Sequence, residues 1–314
     1  MKHNKNSVYY YNYNMRIYRE EQIKKTKKRI IIAIVFLTIV LIIVSKIIEN
    51  NVKEANAREA IAIAEQKNKE MQEQLELKKK QEEEEARLAY EAKLPKLTDD
   101  GIKNLENIYH SEEKVAYLTF DDGPSDVTEK ILDTLKKEDI KATFFVLGTN
   151  VKNFPEVTKK IFDEGHFIAN HGYTHVYSSI YSSKEAVLDE FNKCNDAVKE
   201  ALNEPRYNSH LFRFPGGLAG GKYADIKKEA KQLLNDNGIL NVDWNALSGD
   251  AEKQSPTPEY LMDRIKTTTE GKNSIVVLMH DASFKKVTAE KLPEIIAYLR
   301  EQGYTFKSFY DVIK

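Results

Sequence analysis

Two adjacent carboxylates, Asp121 and Asp122, close the apolar run Tyr117–Phe120 and lead straight into Gly123-Pro124. Neighbouring residues of a strand point to opposite faces, so two like charges at a strand end are turned apart and can take different tasks. Further along, Asn170-His171-Gly172-Tyr173-Thr174-His175 sets two imidazoles four residues apart, on one face if the segment is helical. Two histidines and a carboxylate from another strand make a three-ligand metal set that leaves positions open for water and substrate. In such a set one aspartate binds the cation and the other takes a proton. Arg213, opening Arg213-Phe214-Pro215-Gly216-Gly217, and His280-Asp281, closing the run Ser274–Met279, add a fixed cation and a third imidazole.

Each signal alone is modest. A lone H-x-x-x-H also serves as a surface or capping pair, and paired Asp before Gly-Pro is ordinary turn chemistry. What makes them a site is that all lie at the ends of successive apolar runs. Two histidines and one aspartate are equally the ligands of a non-haem iron centre, a reading that has no use for the second carboxylate or for His280. His3, His110, His166 and His210 have no such company and read as structural or solvated. The single cysteine, Cys194, falls in a helical stretch beside Lys193 and reads as an inert thiol.

The elements that must position these groups alternate regularly. Short apolar or β-branched runs at 115–120, 142–148, 166–169, 211–214, 239–244, 274–280 and 304–309 read as buried strands. Helical stretches around 126–138, 155–164, 184–202, 222–237, 258–270 and 288–302 lie between them, with Pro155, Pro258 and Pro293 near three of the starts. Alternation of this kind predicts a parallel α/β fold, and about seven units favour a distorted (β/α) barrel over an open sheet. Ligands of such folds gather at the carboxyl ends of the strands, where every residue singled out above lies.

The 314 residues are 41% hydrophobic and 31% charged, enough for one large core or two domains. A net charge of −1 lacks the basic excess of a nucleic-acid binder. Residues 1–29 read as a cytoplasmic tail that ends in the basic stretch 24–29. The uncharged run 30–45, extended by Ile47 and Ile48 past Lys46, predicts a single transmembrane anchor over 30–48 with the N-terminus inside. Ala55-Asn56-Ala57 resembles a signal-peptide cleavage site but lies well beyond the run, so the anchor is expected to stay. Residues 49–98, rich in Ala, Glu, Lys and Gln, predict a helical stalk. Its apolar positions keep no steady heptad, which favours a solvated helix held by charge pairs over a coiled coil that would self-associate.

The order and spacing of these residues resemble the NodB-homology polysaccharide deacetylases, carbohydrate esterase family 4, over residues 112–314. The first motif of that family, T-F-D-D-G-P, is matched at 119–124, and the second at Asn170–His175 with Gly172 in a Ser/Thr position. R-x-P-x-G is matched at Arg213–Gly217 and L-x-H at Leu278–His280. The resemblance implies that Asp122, His171 and His175 hold a divalent ion, zinc foremost, with Co2+, Mn2+ or Ni2+ as alternatives. It implies that Asp121 deprotonates the attacking water while Arg213 orients it, and that His280 protonates the departing amine. Pro215 and Gly216 would meet the substrate, with a backbone N–H near Gly216 on the oxyanion, and Leu278 would line the acetyl pocket. The fourth motif departs from patterns such as D-S-x-D-W: Leu247 and Ala251 replace an acid and a Trp, leaving Asp250, or else Asp243, to tether His280.

With an anchor and a spacer, the expected substrate is an N-acetylated glycan outside the cell, N-acetylglucosamine of peptidoglycan before chitin-like, poly-N-acetylglucosamine or acetyl-xylan polymers. A non-catalytic glycan-binding or scaffold protein is the alternative that the altered fourth motif raises.

Overall fold

In the computed structural model, which describes residues 26, 30–32, 34–42 and 54–313, each apolar run becomes a strand of one parallel sheet. The strands are β1 Val115–Asp121, β2 Thr143–Val146, β3 Phe167–Asn170, β4 Leu211–Phe212, β5 Leu240–Asn241, β6 Ala246–Leu247, β7 Ser274–His280 and β8 Thr305–Lys307. Their order is β5-β4-β3-β2-β1-β7-β6, with β8 added beside β1. All seven residues of β1 are buried, as a strand covered on both faces by helices must be. Its last three pair with β2 and its first three with β8, while β7 runs beside its whole length. That register sets Asp121 directly beside His280.

The expected distorted barrel is present with a gap. β5 and β6 are the two ends of the sheet path, so the domain is a curled half-barrel. β4 stops after Phe212, short of Pro215, which has no N–H for a ladder, and of Gly216 and Gly217, which take left-handed φ of 74° and 75°. β6 and the short helices Asp99–Glu106, Gly148–Asn153, Tyr177–Ile180 and Tyr310–Ile313 have too few residues to leave a period in the sequence. Pro293 lies inside the helix Lys286–Glu301 rather than at its start. The buried face of Leu292, Ile295, Ile296 and Leu299 holds that helix together despite the lost N–H.

The chain divides into two compact units, Met1–Ala92 and Lys93–Lys314. Residues 93–111 therefore belong with the sheet, not with the stalk or a gap. Leu105 and Ile108 sit in the core with Phe309, Val312 and Ile313, and Thr98 caps the helix Asp99–Glu106 by accepting from Gly101 N at 2.9 Å. Within the first unit, Glu54–Glu91 is one continuous helix, exposed along most of its described side chains. The pairs Lys78–Glu82 and Lys79–Glu83 lie along it at i,i+4. Of the expected anchor, 30–32 and 34–42 are helical and the remainder lies outside the described residues, as do His3 and the N-terminal tail other than Thr26. Among the described residues no helix is long and apolar enough to cross a membrane.

Where β1 leaves the sheet, Gly123 passes against the buried Asp281 side chain: a Cβ there would meet Asp281 Oδ2 at 2.1 Å. Gly123→Ala is expected to lower stability by about 1–3 kcal/mol, since neither group can move without breaking the strand-end contacts. The check is a shift in thermal or urea midpoint against the parent chain.

Candidate active site

Arg213 follows β4 and is completely buried. One terminal nitrogen donates to Asp121 Oδ1 and to Thr119 Oγ1, both at 2.8 Å. Nε donates to the Val242 carbonyl at 3.2 Å and the other terminal nitrogen to that of Asp243 at 3.1 Å. The guanidinium carbon lies 3.9 Å from the Phe145 ring centroid. Asp121 is thus fixed in a dry site. Burial pushes its carboxyl above the usual range, against the downward pull of Arg213 and His280.

Asp122 is turned away from its neighbour by the backbone. It takes a left-handed φ of 74°, and Asn150 Nδ2 holds its carbonyl at 2.7 Å. Its Oδ1 lies 3.6 Å from His171 Nε2 and 3.5 Å from His175 Nε2. This Oδ1 is buried without a hydrogen-bond partner among the described residues. His171 Nδ1 sits 2.8 Å from the Arg213 carbonyl, which can only accept, so that nitrogen carries the proton and Nε2 keeps its lone pair towards Asp122. Burial, with the neighbouring Arg213 and His175, brings the His171 imidazole down to about 3, so it stays neutral, as a ligand must. The three ligand atoms lie within 4.8 Å of one another. An orphaned carboxylate oxygen and two imidazole nitrogens converging in this way fit a divalent ion of the zinc class.

The two histidines do not share a helix face. Residues 171–176 form a loop in which Gly172 has φ 94° and His175 φ 59°. Glu190, buried on the helix Lys184–Leu202, keeps the loop open by accepting from Tyr173 N at 2.7 Å, Thr174 N at 2.8 Å and Thr174 Oγ1 at 3.0 Å. Those N–H groups are thereby taken from any helical ladder. Nothing in the sequence marks Glu190; it reads as one more acid on an amphipathic helix.

On the other side of Asp121, His280 ends β7. Its Nδ1 lies 2.7 Å from Asp250 Oδ1, and its backbone N–H donates to Asp250 Oδ2 at 2.8 Å. Thr288 Oγ1 donates to the same carboxylate at 2.8 Å, and Lys285 Nζ to the Asp250 carbonyl at 2.6 Å. Burial alone would lower the imidazole, but the hydrogen bond and charge of Asp250, then Asp121 and Asp122, raise it to about 9. Asp243 does not reach His280: its Oδ2 accepts from Leu218 N at 3.0 Å. Leu247, at the other acidic position of the motif, instead pairs with Leu278 across β6 and β7. Replacing that acid therefore leaves His280 tethered.

The loop after Arg213 is held from several sides. Tyr181 Oη donates to the Pro215 carbonyl at 2.7 Å and the buried Lys227 Nζ to that of Gly217 at 2.6 Å. The Gly216 N–H has no acceptor among the described residues. Asp281, named in sequence only as the neighbour of His280, is fully buried. Its Oδ2 accepts from Thr128 Oγ1 at 2.6 Å, and burial raises it to about 7. Cys194 is buried, and His166 packs against Phe144 away from the cluster. The arrangement can take a proton at Asp121, give one at His280 and hold a cation between Asp122 and the histidines.

Residues 109–239 match the family description Polysaccharide deacetylase. A peptidoglycan-N-acetylglucosamine deacetylase of Bacillus cereus is 34% identical over 205 residues, 64% of this chain and 71% of that one. The peptidoglycan-N-acetylmuramic acid deacetylase PdaA of Bacillus subtilis is 33% identical, covering 65% of this chain and 73% of its own. A solved carbohydrate esterase family 4 esterase of Streptococcus mutans superposes with a TM-score of 0.60 at 30% identity, over 68% of this chain and 92% of that one.

Because the His280 pKa is raised, the stability of its charged pair with Asp250 is present in full below the ordinary value near 6.5 and is lost as pH rises through about 9. Asp250→Asn removes the anion and leaves burial dominant. In the metal-free protein, the His280 midpoint followed by NMR is expected to fall from about 9 to near or below 6.5.

Proposed function

This chain belongs to the polysaccharide deacetylase family, as a hydrolase of carbon–nitrogen bonds, and we propose that it removes N-acetyl groups from N-acetylglucosamine residues of peptidoglycan. The observation that carries the proposal is the grouping of a buried base, a three-ligand set with an orphaned carboxylate oxygen and an imidazole tethered by Asp250, at adjoining strand ends. The substrate rests on the named activity of the Bacillus cereus relative.

Asp122, His171 and His175 would hold a divalent ion. When bound, such an ion polarises the acetyl carbonyl and makes a nearby water more acidic. Asp121 accepts a proton from the attacking water; its raised pKa makes it a stronger base than an exposed carboxylate, and Arg213 keeps it aimed. As the carbon–oxygen bond forms, the Gly216 N–H donates to the oxygen that takes negative charge. His280, held protonated by Asp250, passes its proton to the amide nitrogen as the carbon–nitrogen bond breaks. Acetate and a free amine result. Leu278 and Leu247 supply an apolar wall for the methyl group.

The same proposal places this domain outside a membrane, on a single-pass anchor with a cytoplasmic N-terminus. The basic stretch 24–29 and the uncharged run 30–45 support it. A helix of 38 residues, about 57 Å at 1.5 Å per residue, follows the anchor and suits a wall polymer.

The test is acetate release from purified peptidoglycan by the full-length chain. Release should stop on chelation, return with Zn2+, and disappear in Asp121→Asn. His280→Ala should cost kcat about 10²–10⁴-fold. The wild-type rate should rise with pH as Asp121 ionises and fall as His280 loses its proton around 9. Metal-loaded, folded protein that releases no acetate from any acetylated glycan would sink the proposal.

A further inference from the structure

Tyr177 opens the short helix Tyr177–Ile180, two residues after His175. Its ring centroid lies 5.4 Å from that of His175, 5.6 Å from Tyr181 and 6.5 Å from Tyr223, so neighbouring rings hold it in place. The hydroxyl end reaches over Gly216. A Cβ built on Gly216 would meet Tyr177 Oη at 2.5 Å and Cζ at 3.3 Å. The phenol thus fills the volume that a side chain at 216 would occupy.

Two contrasts set this residue apart from its neighbours. Tyr181 is buried and its hydroxyl is committed to the Pro215 carbonyl, whereas Tyr177 is 40% exposed and its hydroxyl has no hydrogen-bond partner among the described residues. Large exposed hydrophobic side chains are few in Lys93–Lys314: Val176, Tyr177 and Phe284. Tyr177 alone among them carries a hydrogen-bond donor. A ring packed edge-on among its neighbours, with an uncommitted O–H between a metal-ligand candidate and the Gly216 backbone, is placed to act on an incoming oxygen.

We propose that Tyr177 is a further catalytic residue, whose hydroxyl donates to the acetyl carbonyl oxygen as it takes negative charge, alongside the Gly216 N–H. This role rests on the deacetylase reading of the same site. A tetrahedral oxyanion accepts more than one hydrogen bond, and a donor fixed beforehand needs no reorganisation when the charge develops.

Tyr177→Phe keeps the ring and its edge contacts and removes only the hydroxyl. Measured on the zinc-loaded full-length chain with peptidoglycan, it is expected to lower kcat on the order of 10²-fold. KM and the zinc affinity, read by competition with a chromophoric chelator, should not change. An unchanged kcat would overturn the role. A raised KM at constant kcat would make Tyr177 a saccharide contact instead, and zinc affinity falling with the rate would make it a prop for His175. Wild-type protein that releases no acetate removes both the deacetylase reading and this role; an active wild type matched by Tyr177→Phe removes this role alone.

Discussion

The buried contact between Arg213 and Asp121 is the constraint on which the other features of the site depend. The guanidinium fixes the carboxylate at the end of β1, the carbonyl of the same residue fixes the tautomer of His171 after β3, and the chain beyond it becomes the Pro215–Gly217 loop. One residue thus ties three strand ends together. A buried ion pair is weak evidence for stability, because desolvation offsets most of its attraction, and removing one partner leaves an uncompensated charge. Here three hydrogen bonds from the guanidinium, besides the one to Asp121, go to the Thr119 hydroxyl and the Val242 and Asp243 carbonyls, and the Phe145 ring covers its face, a set that no lysine would satisfy in the same way. What the pair contributes is orientation.

Two adjacent aspartates become unlike groups through one backbone angle. Asp121 keeps the strand conformation and is enclosed with a cation. Asp122 turns to φ 74° and offers an unpaired oxygen to two imidazoles. The like charges are thereby directed to different partners. A similar division separates the histidines: His171 is kept neutral by burial, whereas His280 is kept protonated by Asp250. Same residue types, opposite proton inventories.

Much of this was legible in the sequence because both β1 and β7 are unbroken apolar runs with their polar residues at the last position. Strand ends in parallel sheets point one way, so Asp121, Asp122, His171, Arg213 and His280 could be placed on one rim without coordinates. The distorted barrel was legible as a curled sheet, but the gap between β5 and β6 was not: β4, β5 and β6 are two residues each, too short to leave a pattern. The helical spacing of His171 and His175 was misleading, since Glu190 holds that segment in a loop from a helix that begins well downstream. Asp250 was identifiable only as an acid left over in the fourth motif. Asp281 and Tyr177 gave no signal, because their meaning lies in what they touch across the sheet: Gly123 in one case, Gly216 in the other.

The divided edge of β1 has a consequence for how the domain is made. Val115–Tyr117 has no neighbour on that side until Thr305–Lys307 arrives, and Phe309 and Ile313 then close the core beneath it. The C-terminal segment of the domain is a keystone for its first strand. Until that segment is made, the growing chain carries an unpaired, apolar strand edge, and such edges are templates for wrong pairing. Topology thus makes completion of this domain wait for Thr305–Ile313, with the open half of the β1 edge covered only then.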